Sequence, residues 1–290
     1  MDKTRSRFPR GWQVCDLRFT LTGAKQVNEA ASSDFFDRYD LFVKKMPGEV
    51  DRLRHQYEAF VSQNRELFQG ARVLDIMSSQ GFWSLAALDA GAAHVVGLED
   101  SPQAVEAAKT AFVELSIDPK SYRFIASEIP AGLRRLEPKA VDLVLCHGFL
   151  ERSDPRFVFQ QLVRLQVKHV ILDTRIAVGK GRIARFVLTP PNAPAGRYKN
   201  VRTIPSHELI AFFCEYFRFR LRQIDWQAMG IGDWTGIADY EKDRHRTYVL
   251  ERAPDDQNKR ETSNVQKKGR ASKNQKKGRA PNDQSDDEEE

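Results

Sequence analysis

Cysteine is scarce in this sequence. The 290-residue chain holds three cysteines, Cys15, Cys146 and Cys214, and their spacing suggests no pairing. An odd number of unpaired cysteines argues against a disulfide framework, and no apolar leader precedes Phe19, so we expect a reducing, cytoplasmic compartment. Cysteines and histidines form no cluster at the spacing of metal ligands, so no metal site is predicted.

Long apolar runs are also missing. Charges or prolines interrupt every apolar stretch within about a dozen residues, which is too short to cross a bilayer. We therefore expect a soluble protein without a membrane segment. Hydrophobic residues make up 41% of the chain, which is enough to bury one large α/β core, and the motif spacing requires no second domain.

Residues 253–290 lack aromatic side chains and almost all aliphatic ones. The segment repeats one hexapeptide, starting at Gln266 and again at Gln275, and it ends in the acidic residues 286–290. It cannot bury enough surface to offset its chain entropy, which predicts a disordered tail that is basic and then acidic. We favour a solvated extension over a tether for nucleic acid, because the two charge blocks partly neutralise each other.

A helix is predicted before the first strand, over residues 49–68. Its apolar residues recur at helical spacing and are Val50, Leu53, Tyr57, Phe60 and Val61. We assign residues 1–68 to an N-terminal extension whose cap helix covers an edge of a sheet. In the alternative, His55 or Tyr57 forms part of a lid over a substrate.

Five short apolar runs alternate with helical patterns from Arg72 onward. They cover residues 73–77, 94–98, 123–126, 141–146 and 167–172. Strands separated by helices pair in parallel through right-handed crossovers, which predicts an α/β fold with a mostly parallel sheet. Residues 217–224 alternate apolar and polar side chains, and together with 246–251 they predict a further antiparallel pair.

The first predicted strand leads into a tight turn that starts at Asp75 and reaches Gly81. The second strand ends in Glu99, which Asp100 follows. A carboxylate at the carboxyl end of such a strand can accept both hydroxyls of a ribose. The dinucleotide fingerprint shares this layout, but its three glycines are missing at the required spacing, so a nicotinamide enzyme is not favoured.

Four segments in order resemble the class I S-adenosylmethionine-dependent methyltransferases: residues 73–82, 95–102, 124–129 and 141–148. The resemblance implies a Rossmann-like fold, with a seven-stranded, mostly parallel sheet, helices on both faces and an antiparallel last strand. The corresponding domain would span 69–252. The resemblance also implies an enzyme with S-adenosylmethionine as cofactor and methyl transfer as the reaction.

The resemblance further implies a set of cofactor contacts. Glu99 would hold the ribose, and Asp75 would begin the loop beneath the methionyl group. Glu128 would accept from the adenine amine, with Ser127 as the less favoured alternative. The full set is Asp75, Ser79, Gly81, Glu99, Asp100, Glu128, Ile129 and Cys146. The structural alternative for each acid is a strand-end or helix-capping carboxylate.

The family usually has glycine at the positions of Met77 and Ser79. Serine is a small change, whereas Met77 adds a side chain where backbone and cofactor approach closely. Met77 therefore supports an alternative in which the chain is a binding protein that retains the fold without the reaction.

His147 follows the fourth predicted strand, where the family places its acceptor. Histidine exchanges protons readily near neutral pH, so His147 is the candidate general base, and a solvated loop histidine is the alternative. Glu151 and Arg175 are candidates for substrate binding, and Arg175 could steady an anionic acceptor. We expect the excursion at 174–204, rich in Gly, Pro and Arg, to enclose the acceptor.

The sequence contains neither an Asn/Asp-Pro-Pro-aromatic motif after the fourth strand nor a pair of catalytic cysteines. We therefore expect a small-molecule or glycan-like acceptor, methylated at oxygen. RNA or protein methylation, with the basic tail as the capture device, is the alternative. A late Gly-rich loop is predicted to be a turn rather than part of the acceptor pocket; it contains Asp233, Trp234, Asp239 and Tyr240.

Overall fold

A seven-stranded sheet forms the centre of this computed structural model, which describes residues 35–45, 48–188 and 201–254. Its strands are β1 Arg72–Ile76, β2 His94–Glu99, β3 Tyr122–Ala126, β4 Leu143–His147, β5 His169–Arg175, β8 Phe219–Gln223 and β9 His245–Arg252. A separate two-stranded ribbon consists of β6 Ala184–Leu188 and β7 Val201–Pro205. The predicted tail lies outside the described residues apart from residues 253 and 254.

Helices flank the sheet along the described chain. They are α1 Asp40–Lys45, α2 Val50–Phe60, α3 Phe82–Asp89, α4 Pro102–Glu114, α5 Ile129–Arg135, α6 Pro155–Leu165, α7 His207–Tyr216 and α8 Ala238–Glu241. Short 3-10 helices cover Ser62–Leu67, Leu150–Arg152 and Gln227–Met229. Within the described ranges, every helix is too short or too polar to cross a bilayer.

The strand order is β3-β2-β1-β4-β5-β9-β8, and β9 is antiparallel to both of its neighbours. This arrangement confirms the predicted fold class. The chain leaves β1 in one direction through β2 and β3 and returns to the other side of β1 with β4. Ligands of open α/β sheets bind outside the carboxyl ends of the strands at such a reversal. The crevice between the ends of β1 and β4 is therefore the place to look for a site.

Two hydrophobic clusters hold helices against the two faces of the sheet. Successive side chains of β1 alternate between them: Val73 belongs to one cluster, and Leu74 and Ile76 belong to the other. Both faces are buried because each is covered by helices, and each fully buried side chain of this kind stabilises the fold by roughly 1.5–3 kcal/mol.

The helix predicted over 49–68 is divided in two. It ends at Phe60, and a 3-10 helix follows, because Asn64 leaves the helical conformation and its side-chain amide donates to the carbonyls of Ala59 and Phe60. Tyr57 is fully buried and stacks on Phe35, so it packs into the core and forms no lid. Other residues of α2 reach the crevice, as described below.

The excursion after β5 contains the β6–β7 ribbon, which the sequence analysis did not predict. Strand β7 lies beside the exit of β4, where the Arg202 guanidinium is 3.7 Å from a carboxylate oxygen of Glu151. Phe186 on β6 is 73% exposed. The two strands were not predicted because residues 174–204 are rich in glycine and proline, which are typical of loops.

Candidate functional site

The loop between β1 and α3 has the backbone conformation of a glycine loop. Met77, Ser79 and Gly81 all have positive φ angles, 61°, 48° and 87°. Gly81 tolerates no side chain, since a Cβ there would lie 2.9 Å from the rings of Phe112 and Phe124. Met77 and Ser79 stand where the resembling family usually has glycine. Each of them adopts the left-handed conformation at a cost of roughly 1–2 kcal/mol.

Met77 does not disrupt this loop. Its backbone N–H donates to the Leu98 carbonyl at 2.8 Å, and the Ser78 N–H donates to the same oxygen at 3.2 Å. The Met77 side chain packs against the hydrophobic cluster that includes Ile76 and Leu98. The loop therefore joins the ends of β1 and β2 despite the substitution.

Replacing Ser79 with glycine is expected to raise the free energy of unfolding by about 0.5–1 kcal/mol, because relief of the left-handed strain outweighs the entropy cost of glycine. The neighbouring Gln80→Gly is the matched control, since Gln80 has a negative φ, and it is expected to lower stability by a similar amount. Urea denaturation measures both. Equal destabilisation by the two changes would show that the loop is not strained at Ser79.

Glu99 holds this loop from the end of β2. Its side chain is buried, Oε2 accepts the Ser79 N–H at 2.9 Å, and Oε1 accepts the N–H groups of Asp100 and Ser101 at 3.0 Å each. Burial raises the pKa of Glu99, and the backbone N–H groups act in the opposite direction. The structure thus brings together Glu99 and Ser79, two of the residues predicted to bind the cofactor.

Asp75 is buried at the end of β1 and accepts a hydrogen bond from the Ser84 hydroxyl at 2.7 Å. Burial raises its pKa to about 6, although the Ser84 hydroxyl favours the charged form. The contact ties β1 to α3. Asp75 still belongs to β1, so the loop begins after Ile76 and not at Asp75 as predicted.

The remaining predicted cofactor residues differ in exposure. Asp100 and Glu128 are exposed, and Glu128 occupies the N-cap position of α5 without a side-chain capping hydrogen bond, whereas the Ile129 side chain is buried. Cys146 lies in a hydrophobic cluster, and burial raises the pKa of its thiol to about 12. The thiol of Cys146 is thus part of the core, and only its backbone is left for a ligand.

His147 is the last residue of β4, on the other side of the crevice. Its ring meets those of Phe60 and Trp83 edge-on, with centroids 5.7 and 5.8 Å away. Its Nε2 lies 3.3 Å from Oδ2 of Asp173 and 3.4 Å from Nε2 of Gln56, and the side chain is 34% exposed. His147 is therefore anchored rather than freely solvated.

Asp173 was missed by the sequence analysis and is the centre of a buried polar network. Its Oδ2 accepts the Tyr240 hydroxyl at 2.9 Å and lies 2.8 Å from His245 Nε2, and its Oδ1 accepts the Thr247 hydroxyl at 2.7 Å. Burial alone would raise the pKa of Asp173, but His245 and His147 hold it far below its usual range. Asp173 is thus a buried anion. An acid at the end of an apolar strand was the available signal, the same one that identified Glu99.

Asp239 extends the network to α2. It accepts two hydrogen bonds from the Arg52 guanidinium, at 2.8 and 2.9 Å, and lies 3.1 Å from His245 Nδ1. The Gln56 amide, also on α2, donates to the Tyr240 hydroxyl at 2.8 Å. Asp239 and Tyr240 lie on α8, so the turn predicted for these two residues is wrong, whereas Asp233 and Trp234 lie in the irregular segment before that helix.

The stability of the folded protein is expected to fall as the pH rises from about 6.5 to 9. Burial alone would lower the pKa of His245, but Asp173 and Asp239 raise it to about 9. The folded state therefore favours protonated His245, so the stabilisation is complete below the unfolded pKa of about 6.5 and is lost as the pH passes through 9. The full effect is on the order of 3 kcal/mol.

Urea denaturation of the wild type and of His245→Gln, at about pH 6 and about pH 9.5, measures this linkage. The difference in free energy of unfolding between the two proteins should be large at the lower pH and small at the higher one. A difference that does not change with pH would contradict a protonated His245.

The predicted substrate residues Glu151 and Arg175 contact each other. Glu151 is buried; its Oε1 accepts the Arg175 N–H at 2.9 Å, and its Oε2 lies 3.9 Å from the Arg175 Nε. The Arg175 side chain remains 51% exposed. Glu151 thus links the exit of β4 to the end of β5, while the Arg175 guanidinium stays accessible.

The two sides of the crevice differ in chemistry. The β1–β2 side presents a left-handed backbone loop and the carboxylate of Glu99. The β4–β5 side presents His147, whose Nε2 lies beside the buried carboxylate of Asp173. No group of three or more side chains suited to holding a metal ion occurs in the part of the chain that the structure describes.

No protein-family model and no curated protein sequence matches this chain. Solved structures match its fold. An S-adenosylmethionine-dependent methyltransferase from Mesorhizobium loti covers 68% of this chain and 98% of its own length, at 14% identity and a TM-score of 0.50. The YcgJ protein of Bacillus subtilis covers 69% and 99%, at 14% identity and a TM-score of 0.50.

A third match is a chain from the complex that holds the Haloferax volcanii Trm112 methyltransferase activator. It covers 75% of this chain and 97% of its own, at 15% identity and a TM-score of 0.50. Likeness at this level of identity concerns the fold, because one fold can host many functions.

Proposed function

Because the chain has the fold of the class I S-adenosylmethionine-dependent methyltransferases, we propose that it is an enzyme that binds S-adenosylmethionine and methylates an acceptor. The observation that carries the proposal is the hydrogen bond from the Ser79 N–H to Glu99. It joins a left-handed loop and a strand-end carboxylate at the reversal of strand order, where such sheets bind ligands.

The residues of the β1–β2 side fit the cofactor. Three backbone N–H groups occupy three of the roughly four acceptor positions of Glu99. One position on Oε2 is left, so Glu99 would accept one ribose hydroxyl and not both, as the sequence had led us to expect. The left-handed loop would lie beneath the methionyl group, and Glu128 and Ile129 would lie on the adenine side. The bound cofactor supplies a methyl group on a positively charged sulfur, which makes that methyl electrophilic.

His147 would act as the general base. It would take the proton of an acceptor hydroxyl, which would make that oxygen nucleophilic toward the electrophilic methyl group that the cofactor supplies. The aromatic rings of Phe60 and Trp83 shield one side of His147 from water. A histidine in this position suits a hydroxyl acceptor, and equally a protonated amine, since each must lose a proton in the reaction.

We propose a small-molecule or glycan-like acceptor that carries negative charge. Seven lysines and arginines, and no acidic residue, lie between Asp173 and Glu208. Arg175, at the end of β5, keeps its guanidinium accessible. Arginine pairs well with carboxylate and phosphate groups, so this segment suits an anionic acceptor. We also propose a cytoplasmic location, with which the free, buried Cys146 and Cys214 agree.

Calorimetric titration of the purified protein with S-adenosylhomocysteine is the first test, and micromolar binding is expected. A screen with isotope-labelled S-adenosylmethionine should then detect transfer to anionic hydroxyl compounds rather than to neutral ones. Absence of binding by folded protein would overturn the enzyme proposal and leave a binding protein on this fold. Transfer to RNA that falls steeply with salt would instead replace the proposed acceptor.

A further inference from the structure

We infer that Asp173 is a positioning residue that orients His147 and keeps the ring proton on Nε2, so that Nδ1 is free to accept the acceptor's proton. The inference rests on the proposed role of His147 as the base. It gives a role to the buried anion Asp173, which lies behind the proposed base. Neither the sequence motifs nor the shared fold assigns a role to this residue.

The sheet itself places the two residues together. β4 and β5 are parallel neighbours whose register pairs His147 with Asp173. The His147 Nε2 lies 3.3 Å from Asp173 Oδ2, and the Gly148 N–H donates to the Asp173 carbonyl at 2.9 Å. Nδ1 of His147 has no hydrogen-bond partner among the residues that the structure describes. The ring therefore has one anchored nitrogen and one available nitrogen.

Asp173 is suited to hold the proton in place because its own orientation is restricted. It is 1% exposed, and it is bound by the Tyr240 hydroxyl, the Thr247 hydroxyl and His245. These donors come from α8 and β9, so both carboxylate oxygens are fixed by surrounding elements. A carboxylate held on both oxygens cannot rotate to follow a turn of the His147 ring.

Gln56 provides a competing contact. Its amide nitrogen lies 3.4 Å from the same Nε2 of His147, and an amide N–H there would favour an unprotonated Nε2. The Gln56 amide is already bound to the Tyr240 hydroxyl at a shorter distance, 2.8 Å. Nε2 also lies 3.3 Å from the buried carboxylate of Asp173, and this approach to an anion is electrostatically favourable only when Nε2 carries the proton. The charge of Asp173 therefore favours the tautomer with the proton on Nε2.

The support of Asp173 reaches the N-terminal helix α2. His245 lies between Asp173 and Asp239, and Asp239 is in turn held by the Arg52 guanidinium. Charges alternate along this series, since Arg52 and His245 are cations and the two aspartates are anions. The orientation of His147 thus depends on contacts made far from the reacting atoms.

The tautomer of His147 in the wild-type protein tests the inference directly. Long-range proton–nitrogen NMR spectra distinguish the two ring nitrogens, and the His147 signals are those that disappear in His147→Gln. We expect a proton on Nε2 and a bare Nδ1. The opposite tautomer would overturn the inference. This measurement needs neither cofactor nor acceptor, so it stands even if the proposed function fails.

Asp173→Asn supplies the functional arm. An asparagine amide can turn its N–H toward His147, which should shift the ring proton to Nδ1 and lower kcat roughly 100-fold or more. Binding of S-adenosylhomocysteine should stay unchanged, because Glu99 and its loop are not altered. Unchanged kcat with an unchanged tautomer would also overturn the inference.

Asp142→Asn is the matched control. Asp142 is another ion-paired carboxylate, bound to Arg72 and Lys168, but it precedes β4 at the opposite end of the sheet. It should affect thermal stability without changing the His147 tautomer or kcat. If Asp173→Asn does not fold, the wild-type spectrum alone decides between the two tautomers.

Discussion

Replacing Glu99 with alanine is expected to weaken the binding of S-adenosylhomocysteine at least about 100-fold. The variant loses a charge-assisted hydrogen bond to the ribose, each such bond being worth roughly 1.5–3 kcal/mol. It also loses the acceptor of the Ser79 N–H, which helps to hold the left-handed loop. Both losses lower the affinity for S-adenosylhomocysteine, and calorimetric titration measures their combined effect on that affinity.

Glu106→Ala is the control for this experiment. Glu106 is exposed on α4 and pairs with Lys109, so its removal should leave the affinity unchanged. Binding by Glu99→Ala at nearly the wild-type affinity would exclude Glu99 from the ribose contact. Absence of binding in the wild type as well would reject the cofactor itself.

Replacing His147 with glutamine is expected to lower kcat roughly 100- to 10,000-fold, the range that a general base contributes. Glutamine can occupy much of the same space but cannot take up the acceptor's proton. The affinity for S-adenosylhomocysteine should not change, because the ring lies on the β4 side of the crevice. The measurement uses the acceptor found in the labelled-methyl screen.

His55→Gln is the matched control, since His55 lies on α2 and its Nδ1 contacts the carbonyl of Asp51 in the same helix. Its kcat should equal that of the wild type. If His147→Gln leaves kcat unchanged, His147 is not the general base. The acceptor would then be deprotonated before methyl transfer or would need no base. A parallel loss of cofactor affinity would indicate a structural role instead.

The geometry of the β1–β2 side of the crevice was predictable because its features are local. Asp75 and Gly81 bracket one turn, and Glu99 ends the next strand, so short segments carry the signal. The left-handed backbone at Met77 was not predictable from residue type, since methionine rarely adopts it. The contacts of Met77 and Ser78 with Leu98 hold this conformation.

The acceptor side was harder to predict, because its contacts join distant parts of the chain. The strand predicted at 167–172 was ended too early, since Asp173 and Thr174 are polar. Pairing with the antiparallel strand β9 keeps these residues in the sheet and places Thr247 beside Asp173. Asp239 and Tyr240 had the composition of a turn, but they lie on α8, and side-chain contacts with α2, β5 and β9 give them a further role.

The ion pair between Arg52 and Asp239 joins residues separated by 187 positions. A ribosome synthesises Arg52 early and Asp239 late, and domains generally fold as units as they emerge. A nascent chain that ends before β9 can already contain the cofactor loop and Glu99, but it lacks His245, Thr247 and the late partner of α2. An unfinished chain would therefore contain the β1–β2 loop and Glu99 before it contains the residues that fix Asp173 behind His147.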